Sequence, residues 1–398
     1  MADIRSFEQE KEKREQVQED YRKKIRKHKL GGFLRILLIL LVIGILIIFV
    51  SKQYRNHIYT SYEVVSSMER EKIAGTTDIR LGDAILTYSR DGAHCTDSKG
   101  NVIWNQTYEI QDILIDTCRD VAVIAEYNGR NVYVVSAQKQ LGSFTTNLPI
   151  RSVTVSATGR VAVVMTDSGG AYYNVYSAEG EEQYNGYATM TNSGYPMAVS
   201  FSPNGELLEV SYIYLDSGVQ KTNIVFYNLG AVGENVSDYL VSAYIYDDVL
   251  VPFVKFMDND TGFAVGDSRL MLYKGSQKPT VLAEFNYTEA VRSVFYNENY
   301  LGLVFYSDTG SSLYKMNVYS KNGEQVGTYY FNLDYTDIFF WEDDFVVYNT
   351  SQCEIYTLKH VEKYSGTFSK SVGRMIPLKT PYKYLLLTND SCDIIQLK

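Results

Sequence analysis

The chain has 398 residues, 45% of them hydrophobic, so it can form a large core, and global disorder is excluded. Its net charge of −9 is unevenly placed: residues 1–32 carry ten Lys/Arg and seven Asp/Glu, a balance of +3, which leaves −12 for the rest. This acidic body argues against nucleic-acid binding, which needs clustered cations for the phosphates.

Residues 1–32 form a charged leader of helix-forming composition, and residues 33–50 read FLRILLILLVIGILIIFV. This apolar run, with one charge, is close to the roughly 20 residues that span a bilayer. Six Lys/Arg stand just before it in Tyr21–Leu30, whereas only two follow it up to Ser61. The positive-inside rule therefore predicts a cytoplasmic leader, a transmembrane helix that contacts the lipid bilayer through residues 33–50, and an extracytoplasmic C-terminal part.

Two other interpretations of the apolar run are weaker. A cleaved signal peptide would have a shorter leader and a small-residue cleavage site, and SKQYRNH (residues 51–57) offers none. A buried core helix would not explain why the basic residues stand on one side only. The sequence thus favours an uncleaved, single-pass signal anchor in the cell membrane.

Residues 51–76 are predicted to be a juxtamembrane linker. Within it, TSYEVVSS (Thr60–Ser67) has the composition of a β-strand that could complete a sheet formed by later residues. The alternative is a membrane-proximal helix, because Ile58, Tyr62, Val65 and Met68 also fit helical spacing.

The remainder of the chain repeats itself. NVYSAEGEE (Asn174–Glu182) returns as NVYSKNGEQ (Asn317–Gln325), with six of nine positions identical. Each copy reads as the third strand of a repeated unit followed by a turn, and Gly180 and Gly323 are placed to supply the positive φ of that turn. Seven units of several short strands can be traced, and a less clear one covers Thr77–Trp104.

Residues 77–398 give about 40 residues for each of eight units, which is the period of a four-stranded β-propeller blade. We therefore predict an all-β fold, an extracytoplasmic β-propeller of eight blades, with seven as the alternative. The last unit ends in CDIIQLK with three strands, so the ring needs a fourth strand from elsewhere. A two-sheet sandwich is the competing fold, but it does not require this period.

Few residues suggest chemistry. The sequence contains no HExxH, GxSxG or Walker A motif, and its four His residues are scattered. DNDTG (Asp258–Gly262) resembles the start of a calcium loop, but it lacks the later bidentate Glu, so we interpret it as a turn. We predict no catalytic, cofactor-binding or metal-binding residue and no cofactor.

The four cysteines show no zinc-binding spacing, and the favoured interpretation is small buried side chains, although one disulfide is allowed outside a cell. They are Cys95, Cys118, Cys353 and Cys392. Two acidic stretches, Tyr246–Asp248 and Glu342–Asp344, are predicted to be solvated turns.

Tyrosine is unusually abundant, with 35 residues. The tyrosines could form an aromatic surface for glycans or peptides, but we expect most of the rings to pack between blades. A single Trp104 is not a Trp series of the kind found in quinoprotein propellers, so a quinone-dependent dehydrogenase is not expected.

The layout resembles an uncharacterised family, a domain of unknown function, of membrane-anchored propeller-like proteins from anaerobic Gram-positive bacteria. The resemblance is carried by YEVVSS at Tyr62, Ile85–Glu109, Ser193–Tyr212 and the terminal CDIIQLK. SPNG at Ser202 is also similar to the Ser-Pro-Asp-Gly turn of WD40-like propellers. The resemblance implies the fold and the membrane topology; that family has no assigned activity.

From these observations we expect a binding or scaffold module of the cell envelope, with an unknown protein or glycan partner on the propeller face. The alternative is an extracytoplasmic enzyme whose site lies at the mouth of the channel. A third possibility, sensing across the bilayer, would require the leader to bind a ligand of its own.

Overall fold

The computed structural model describes residues 11, 14, 17, 20–22, 37–46, 57–189, 193–308 and 310–398. The chain divides into two compact units, Met1–Ile58 and Tyr59–Lys398. In the first unit, residues 37–46 are helical. Among the described residues, no helix has both the length and the apolar character that are needed to cross a membrane. Positions 33–36 and 47–50 of the predicted span lie outside the described residues, and the anchor stays a prediction.

The described residues of the second unit form 32 strands in eight four-stranded antiparallel sheets, which we call blades 1 to 8. In blades 1 to 7, four strands that are consecutive in the sequence lie side by side in the same order. The prediction of eight four-stranded propeller blades is therefore confirmed, and neither seven blades nor a two-layer sandwich is observed.

Strand β1 (Tyr62–Glu69) comes first in this unit and belongs to blade 8. Blade 1 contains β2 (Thr77–Leu81), β3 (Ala84–Tyr88), β4 (Gly92–Thr96) and β5 (Val102–Thr107), and blade 2 contains β6 (Ile113–Cys118), β7 (Val121–Glu126), β8 (Asn131–Ser136) and β9 (Gln140–Thr145). Blade 3 contains β10 (Ile150–Val155), β11 (Val161–Thr166), β12 (Ala171–Tyr176) and β13 (Glu182–Ala188), and blade 4 contains β14 (Tyr195–Phe201), β15 (Leu207–Asp216), β16 (Val219–Asn228) and β17 (Leu240–Asp247).

Two short 3-10 helices, Gly233–Asn235 and Ser237–Tyr239, lie between β16 and β17. Blade 5 contains β18 (Phe253–Phe256), β19 (Thr261–Val265), β20 (Arg269–Lys274) and β21 (Thr280–Asn286), and blade 6 contains β22 (Ser293–Tyr296), β23 (Tyr300–Tyr306), β24 (Tyr314–Ser320) and β25 (Gln325–Phe331). Blade 7 contains β26 (Asp337–Trp341), β27 (Asp344–Tyr348), β28 (Gln352–Thr357) and β29 (Glu362–Thr367), and blade 8 contains β30 (Val372–Pro377), β31 (Lys383–Thr388) and β32 (Ser391–Leu397) together with β1.

The core lies between neighbouring blades. The second strand of a blade is buried on both faces, as in Val121–Ala125 of β7, which explains why such strands read as continuous apolar runs. Eight clusters of buried apolar side chains occupy the eight spaces between successive blades, including the space between blade 8 and blade 1. The blades therefore form a closed ring.

The ring is closed by β1, the fourth strand of blade 8, which pairs antiparallel with β32 from Tyr62 opposite Leu397 to Glu69 opposite Ser391. The pairing continues beyond the strand, since the amide of Lys398 donates to the carbonyl of Ser61 at 2.8 Å. Most of residues 60–67 is thus extended and paired, and the helical alternative for this stretch is not observed.

The repeated nonapeptide occupies corresponding places in blades 3 and 6. Each copy begins in a third strand, β12 or β24, and runs through the turn that leads to the fourth strand. Gly180 and Gly323 have φ values of +93° and +80°, the left-handed conformation that the sequence predicted for this turn.

Most tyrosines described in the structure have buried or half-buried rings. Tyr212, Tyr273, Tyr348 and Tyr384 are among the largest fully buried side chains. The hydroxyl groups of Tyr173 and Tyr212 both bond to that of Tyr227, at 3.1 and 2.9 Å. A smaller set is well exposed, which includes Tyr127, Tyr187, Tyr306 and Tyr330.

One carboxyl group is buried without a partner between blades 4 and 5. Glu209 in β15 is 0% exposed, and neither of its carboxyl oxygens has a hydrogen-bond partner among the described residues. Gly262 of β19 makes room for it, because a Cβ there would lie 2.9 Å from Oε2 of Glu209. Burial raises the pKa of Glu209 well above its usual value, since the charged form has lost its hydration.

We predict that Glu209→Gln stabilises the protein at neutral pH. Because the folded-state pKa of Glu209 is raised, the wild type loses stability as the pH rises above the unfolded-state pKa of about 4.3. The Gln side chain of the variant does not titrate, so the variant does not lose this stability. The gain in the free energy of unfolding at pH 7 should be at least about 1 kcal/mol, because one pKa unit corresponds to about 1.4 kcal/mol.

The measurement is urea unfolding of both proteins between pH 4 and pH 8, with the exposed Glu179→Gln as the matched control. The difference between Glu209→Gln and wild type should shrink toward pH 4. A difference that stays constant over this range, or that Glu179→Gln reproduces, would contradict the prediction.

Candidate functional site

The first strand of each blade lines the central channel of the ring. One ion pair crosses this channel. Lys255 in β18 of blade 5 lies 2.5 Å from Oδ1 of Asp116 in β6 of blade 2, although blades 3 and 4 separate the two in the ring. Thr154 in β10 donates to Oδ2 of the same carboxylate at 2.7 Å. Side chains from three blades therefore meet inside the channel and narrow it.

The protonation of this pair limits its chemistry. Burial lowers the pKa of Lys255, but the charge and hydrogen bond of Asp116 together with nearby Tyr296 and Cys118 outweigh burial and hold the pKa above its ordinary value. Tyr296 of β22 lies beside the pair, and burial raises the pKa of its phenol although Lys255 acts in the opposite direction. A lysine that acts as a base requires a lowered pKa, so this arrangement suits a structural ion pair and not proton transfer.

Other charged groups of the channel are also paired. Arg374 of blade 8 lies 3.0 Å from Oδ2 of Asp337 in blade 7. The guanidinium of Arg80 in blade 1 lies 5.1 Å from the centre of the Trp341 ring. At one mouth, an exposed pair joins Arg119 to Glu298 at 3.6 Å, between blades that stand opposite each other in the ring.

The predicted turn at Asp258–Gly262 joins β18 to β19. The backbone amide of Asp260 donates to Oδ1 of Asp258 at 3.1 Å, and Lys321 lies 3.4 Å from the other oxygen. Burial raises the pKa of Asp258, but hydrogen bonds from the turn and nearby cations dominate and lower it to about 2. The carboxylates of this turn are thus held by lysines and backbone amides. No group of three or more His, Cys, Asp or Glu in the described residues is arranged to hold a metal ion.

The acidic stretches have structural contacts. In Tyr246–Asp248, the Tyr246 hydroxyl donates to Glu284 at 3.2 Å, and Asp247 lies 3.3 Å from Lys221. In Glu342–Asp344, burial raises the pKa of Asp344 to about 6. Asp247, Asp248, Glu342 and Asp343 are exposed, as expected for solvated turns, whereas Tyr246 is buried and Asp344 is half-buried.

The four cysteines are free thiols: Cys95, Cys353 and Cys392 are buried, and Cys118 is half-buried. Burial raises the pKa of the Cys95, Cys118 and Cys392 thiols to about 11, so they are protonated at neutral pH.

Trp104 of blade 1 forms a hydrogen bond to blade 2, since its Nε1 donates to the carbonyl of Ser136 at 2.8 Å.

An arginine–tyrosine patch lies on the face of the ring that carries the connections between blades. Arg292, just before β22, lies over the rings of Tyr306, Tyr314 and Tyr335 at 5.0, 5.1 and 5.7 Å. It also donates to the Tyr306 hydroxyl. Tyr306 is 62% exposed and Leu313 beside Tyr314 is 55% exposed. We call these five residues the Tyr306 patch.

A similar pair lies on the same face at blades 2 and 3. Arg151, in β10, lies 5.5 Å from the centre of the Tyr127 ring, and its Nε donates to Thr166 at 2.7 Å. Tyr127 is 40% exposed. Exposed tyrosine and arginine side chains are the groups that most often dominate the free energy of protein–protein binding.

The comparison with known families supplies an identification. Residues 54–397 match a family whose description is "Family of unknown function (DUF5711)". The chain belongs to this DUF5711 family. No curated protein sequence matches the chain.

Solved structures of other proteins have a fold similar to that of this DUF5711 protein. Saccharomyces cerevisiae Sqt1 is 12% identical with a TM-score of 0.53, covering 86% of this chain and 99% of that one. Chaetomium thermophilum Sqt1, bound to the N-terminus of the ribosomal protein L10, is 11% identical with a TM-score of 0.53, covering 84% and 99%. BamB from Moraxella catarrhalis is 12% identical with a TM-score of 0.49, covering 85% and 98%. At these identities the likeness concerns the fold.

Sequence reasoning did not single out Asp116, Lys255 or Arg292 in the DUF5711 chain. A signal existed for two of them, because ILIDTC of β6 and FVKF of β18 each place one charge in a largely apolar first strand. Such a charge must find a partner or reach solvent. No sequence signal identified Arg292, whose three rings come from three different segments.

We predict that the channel pair stabilises the ring only as a pair. Lys255→Met should lower the free energy of unfolding by about 3 kcal/mol, because it leaves a largely buried carboxylate without its cation. Asp116→Asn combined with Lys255→Met should recover most of that loss, since the amide oxygen can still accept from Thr154.

The measurement is a double-mutant cycle by urea unfolding of the full chain. Arg119→Ala, which breaks the exposed ion pair to Glu298, is the control and should cost no more than about 0.5 kcal/mol. If the double variant lost the sum of the two single losses, the coupling would be disproved.

Proposed function

We propose that this protein is a binding or scaffold module that holds a protein partner at the Tyr306 patch, and that residues 33–50 anchor it in the cell membrane with the propeller outside. The observation that carries the proposal is the contact of exposed Arg292 with three tyrosines, of which Tyr306 is exposed, Tyr335 half-buried and Tyr314 buried. The groups of the channel, by contrast, are bound to one another.

The chemistry of the patch suits a protein surface. The Arg292 guanidinium is held over aromatic rings, so little side-chain freedom is lost when a partner docks. Tyr314 donates to Asp334 at 2.8 Å, and the hydroxyls of Ser293 and Tyr335 bond at 2.8 Å, which fixes two of the rings. A rigid aromatic patch with one cation and an exposed Leu313 matches the composition of interface hot spots.

The structural relatives support a binding role at the level of the fold. Sqt1 from Chaetomium thermophilum was solved with the N-terminus of the ribosomal protein L10 bound to it. A ring of this kind can therefore hold a segment of another protein. We carry over only this capacity, because the two sequences are 11% identical.

The membrane setting rests on the sequence. The apolar run 33–50 has six Lys/Arg just before it and few after it, which supports an orientation with the acidic propeller outside the cytoplasm.

For the binding role, we predict that a photo-cross-linking amino acid at position 306 captures a protein in intact cells. The same amino acid at Val102, which is 65% exposed on β5 of blade 1, is the control position and should capture none. Arg292→Ala, combined with the cross-linker at 306, should lower the yield at least about tenfold, as expected for a hot-spot arginine. Equal adducts at 306 and 102, or a yield indifferent to Arg292→Ala, would refute the proposed patch.

For the topology, we predict that Lys379→Cys reacts with a membrane-impermeant maleimide in intact cells. Lys379 is 81% exposed and its ion pair with Asp83 lies on the surface, so the change should cost little stability. Lys11→Cys in the leader is the matched control and should react only after the cells are permeabilised; the opposite pattern would reverse the proposed orientation. Three native cysteines are buried, so the wild-type background should be low.

A further inference from the structure

A groove of about 380 Å³ lies in the wedge between blades 2 and 3, on the face of blade 3 that is turned toward blade 2. Asn147 and Leu148, from the connection that precedes β10, form one wall. The rest of the lining comes from blade 3: Met165 of β11, Asp167 of the loop that follows it, and residues of β12 and β13. This volume is within the range of about 300–1,000 Å³ that small-molecule sites occupy. The groove is separate from the Tyr306 patch, which lies on blades 6 and 7.

Two tyrosine rings contact each other in this groove. The ring centres of Tyr172 and Tyr187 are 4.8 Å apart with their planes tilted by 46°, and Tyr187 is 50% exposed. Their hydroxyl groups are tied to the loop between β11 and β12: Tyr187 donates to the carbonyl of Gly169 at 3.1 Å, and Tyr172 donates to Asp167 at 3.4 Å. The rings are thus fixed before any ligand binds.

A fixed carboxylate lies further along the groove. Oε2 of Glu182 accepts from Nδ2 of Asn174 at 2.9 Å, and Oε1 accepts from Nδ2 of Asn185 at 3.0 Å. Asn174 is buried, whereas Glu182 and Asn185 are exposed. Each carboxylate oxygen has a lone pair to spare, and the Asn185 amide has both a donor and an acceptor left.

The charge of the groove selects against anions. Among the described residues that line it, none is Lys, Arg or His, while Asp167 and Glu182 are both acidic. A phosphate or carboxylate would meet only negative charge there. A ligand with hydroxyl groups, which donate as well as accept, matches carboxylate and amide groups together.

The repeated nonapeptide provides a comparison within the same molecule. The aromatic packing beneath the groove is the same in the corresponding wedge between blades 5 and 6. There the ring of Tyr319 packs against that of Phe285 with ring centres 4.5 Å apart, just as Tyr176 packs against Phe144 with ring centres 4.8 Å apart. Asn317 stands where blade 3 has Asn174.

Two of the groups that would face a ligand are replaced in this second wedge, whereas Tyr187 has a tyrosine, Tyr330, as its counterpart. Lys315 stands in the place of Tyr172 and is bound to Glu289. Thr328 stands in the place of Asn185, and it donates to Oδ1 of Asn317 at 2.8 Å. In blade 3, by contrast, Oδ1 of Asn174 has no partner among the described residues, because Asn185 is turned to Glu182.

We propose that the groove between blades 2 and 3 binds a neutral saccharide. One pyranose ring stacks its C–H face on the exposed ring of Tyr187, which is supported by its contact with Tyr172, and its hydroxyl groups bond to Glu182 and Asn185. The proposal uses a different site from the Tyr306 patch and does not depend on the protein partner proposed there.

An alkylammonium ligand fits less well. Acidic and aromatic groups together can form a cage around a cation, but a cage needs rings that stand apart. With ring centres 4.8 Å apart, Tyr172 and Tyr187 are in contact with each other and leave no space between them. The exposed ring of Tyr187 offers one aromatic face, and the flat C–H face of a sugar ring can stack on it.

The test is a titration of the purified full chain in a detergent without a sugar head group, followed by saturation-transfer NMR. The probes are maltotriose, cellotriose and tri-N-acetylchitotriose, with trigalacturonate, choline and tetra-alanine as comparison ligands. At least one neutral trisaccharide should bind with a Kd below about 5 mM, a modest affinity for an open groove.

The variants assign that binding to the groove. Tyr187→Ala should weaken it about tenfold, because an aromatic stacking contact contributes up to about 1.5 kcal/mol. Tyr187→Phe should keep most of it. Tyr330→Ala removes the corresponding, 47% exposed tyrosine of blade 6, and it should change the Kd less than about twofold.

Three outcomes would overturn the proposal: no neutral trisaccharide binds below about 5 mM, Tyr330→Ala weakens binding as much as Tyr187→Ala, or choline or tetra-alanine binds with the dependence on Tyr187. None of them affects the cross-linking result at position 306, so a failure here is distinct from a failure of the proposed protein partner.

Discussion

The structure depends on the fact that a four-stranded sheet with two apolar faces cannot shield both of them by itself. Each blade buries its faces against the next, and this arrangement is complete only when the last blade meets the first. The space between blades 8 and 1 contains one of the smaller buried clusters, with Ile85, Ile376, Leu385, Leu387 and Cys392. Polar contacts reinforce this boundary, since Arg70, just after β1, lies 2.6 Å from Asp78 in β2. The ring is therefore complete only when β1 has paired with β32 in blade 8.

A closed ring fixes the backbone and leaves side chains at strand ends and in the wedges free to differ. Inside the channel, charges from distant blades neutralise each other and hold the ring from within, as Lys255 and Asp116 do. Outside it, the same repeated unit carries different surface groups, such as Tyr172 in blade 3 and Lys315 in blade 6. A repeat can thus keep its packing residues while its exposed positions diverge toward separate binding tasks.

The blade number was predictable because burial on both faces leaves a regular mark in the sequence. Second strands such as Val121–Ala125 are unbroken apolar runs, and they recur about every 40 residues. The position of the repeated nonapeptide and the φ of Gly180 followed from the same regularity. The site was far less predictable. Lys255 and Asp116 are 139 residues apart, and only the curvature of the closed ring brings them together. Tyrosine illustrates the same limit: Tyr348 and Tyr306 each end the second strand of a blade in similar apolar sequence, yet Tyr348 is fully buried and Tyr306 is exposed.

The pairing of β1 with β32 joins strands that are far apart in the sequence, as Ser67 and Asp393, 326 residues apart, are hydrogen-bonded at 2.5 Å. During synthesis β1 therefore keeps an unpaired edge until β32 has been made. A product truncated before β32 would leave β1 without its partner and expose apolar sheet surface to proteases and chaperones. Closure of the ring thus depends on the synthesis of blade 8, because β1 has no other strand beside it among the described residues.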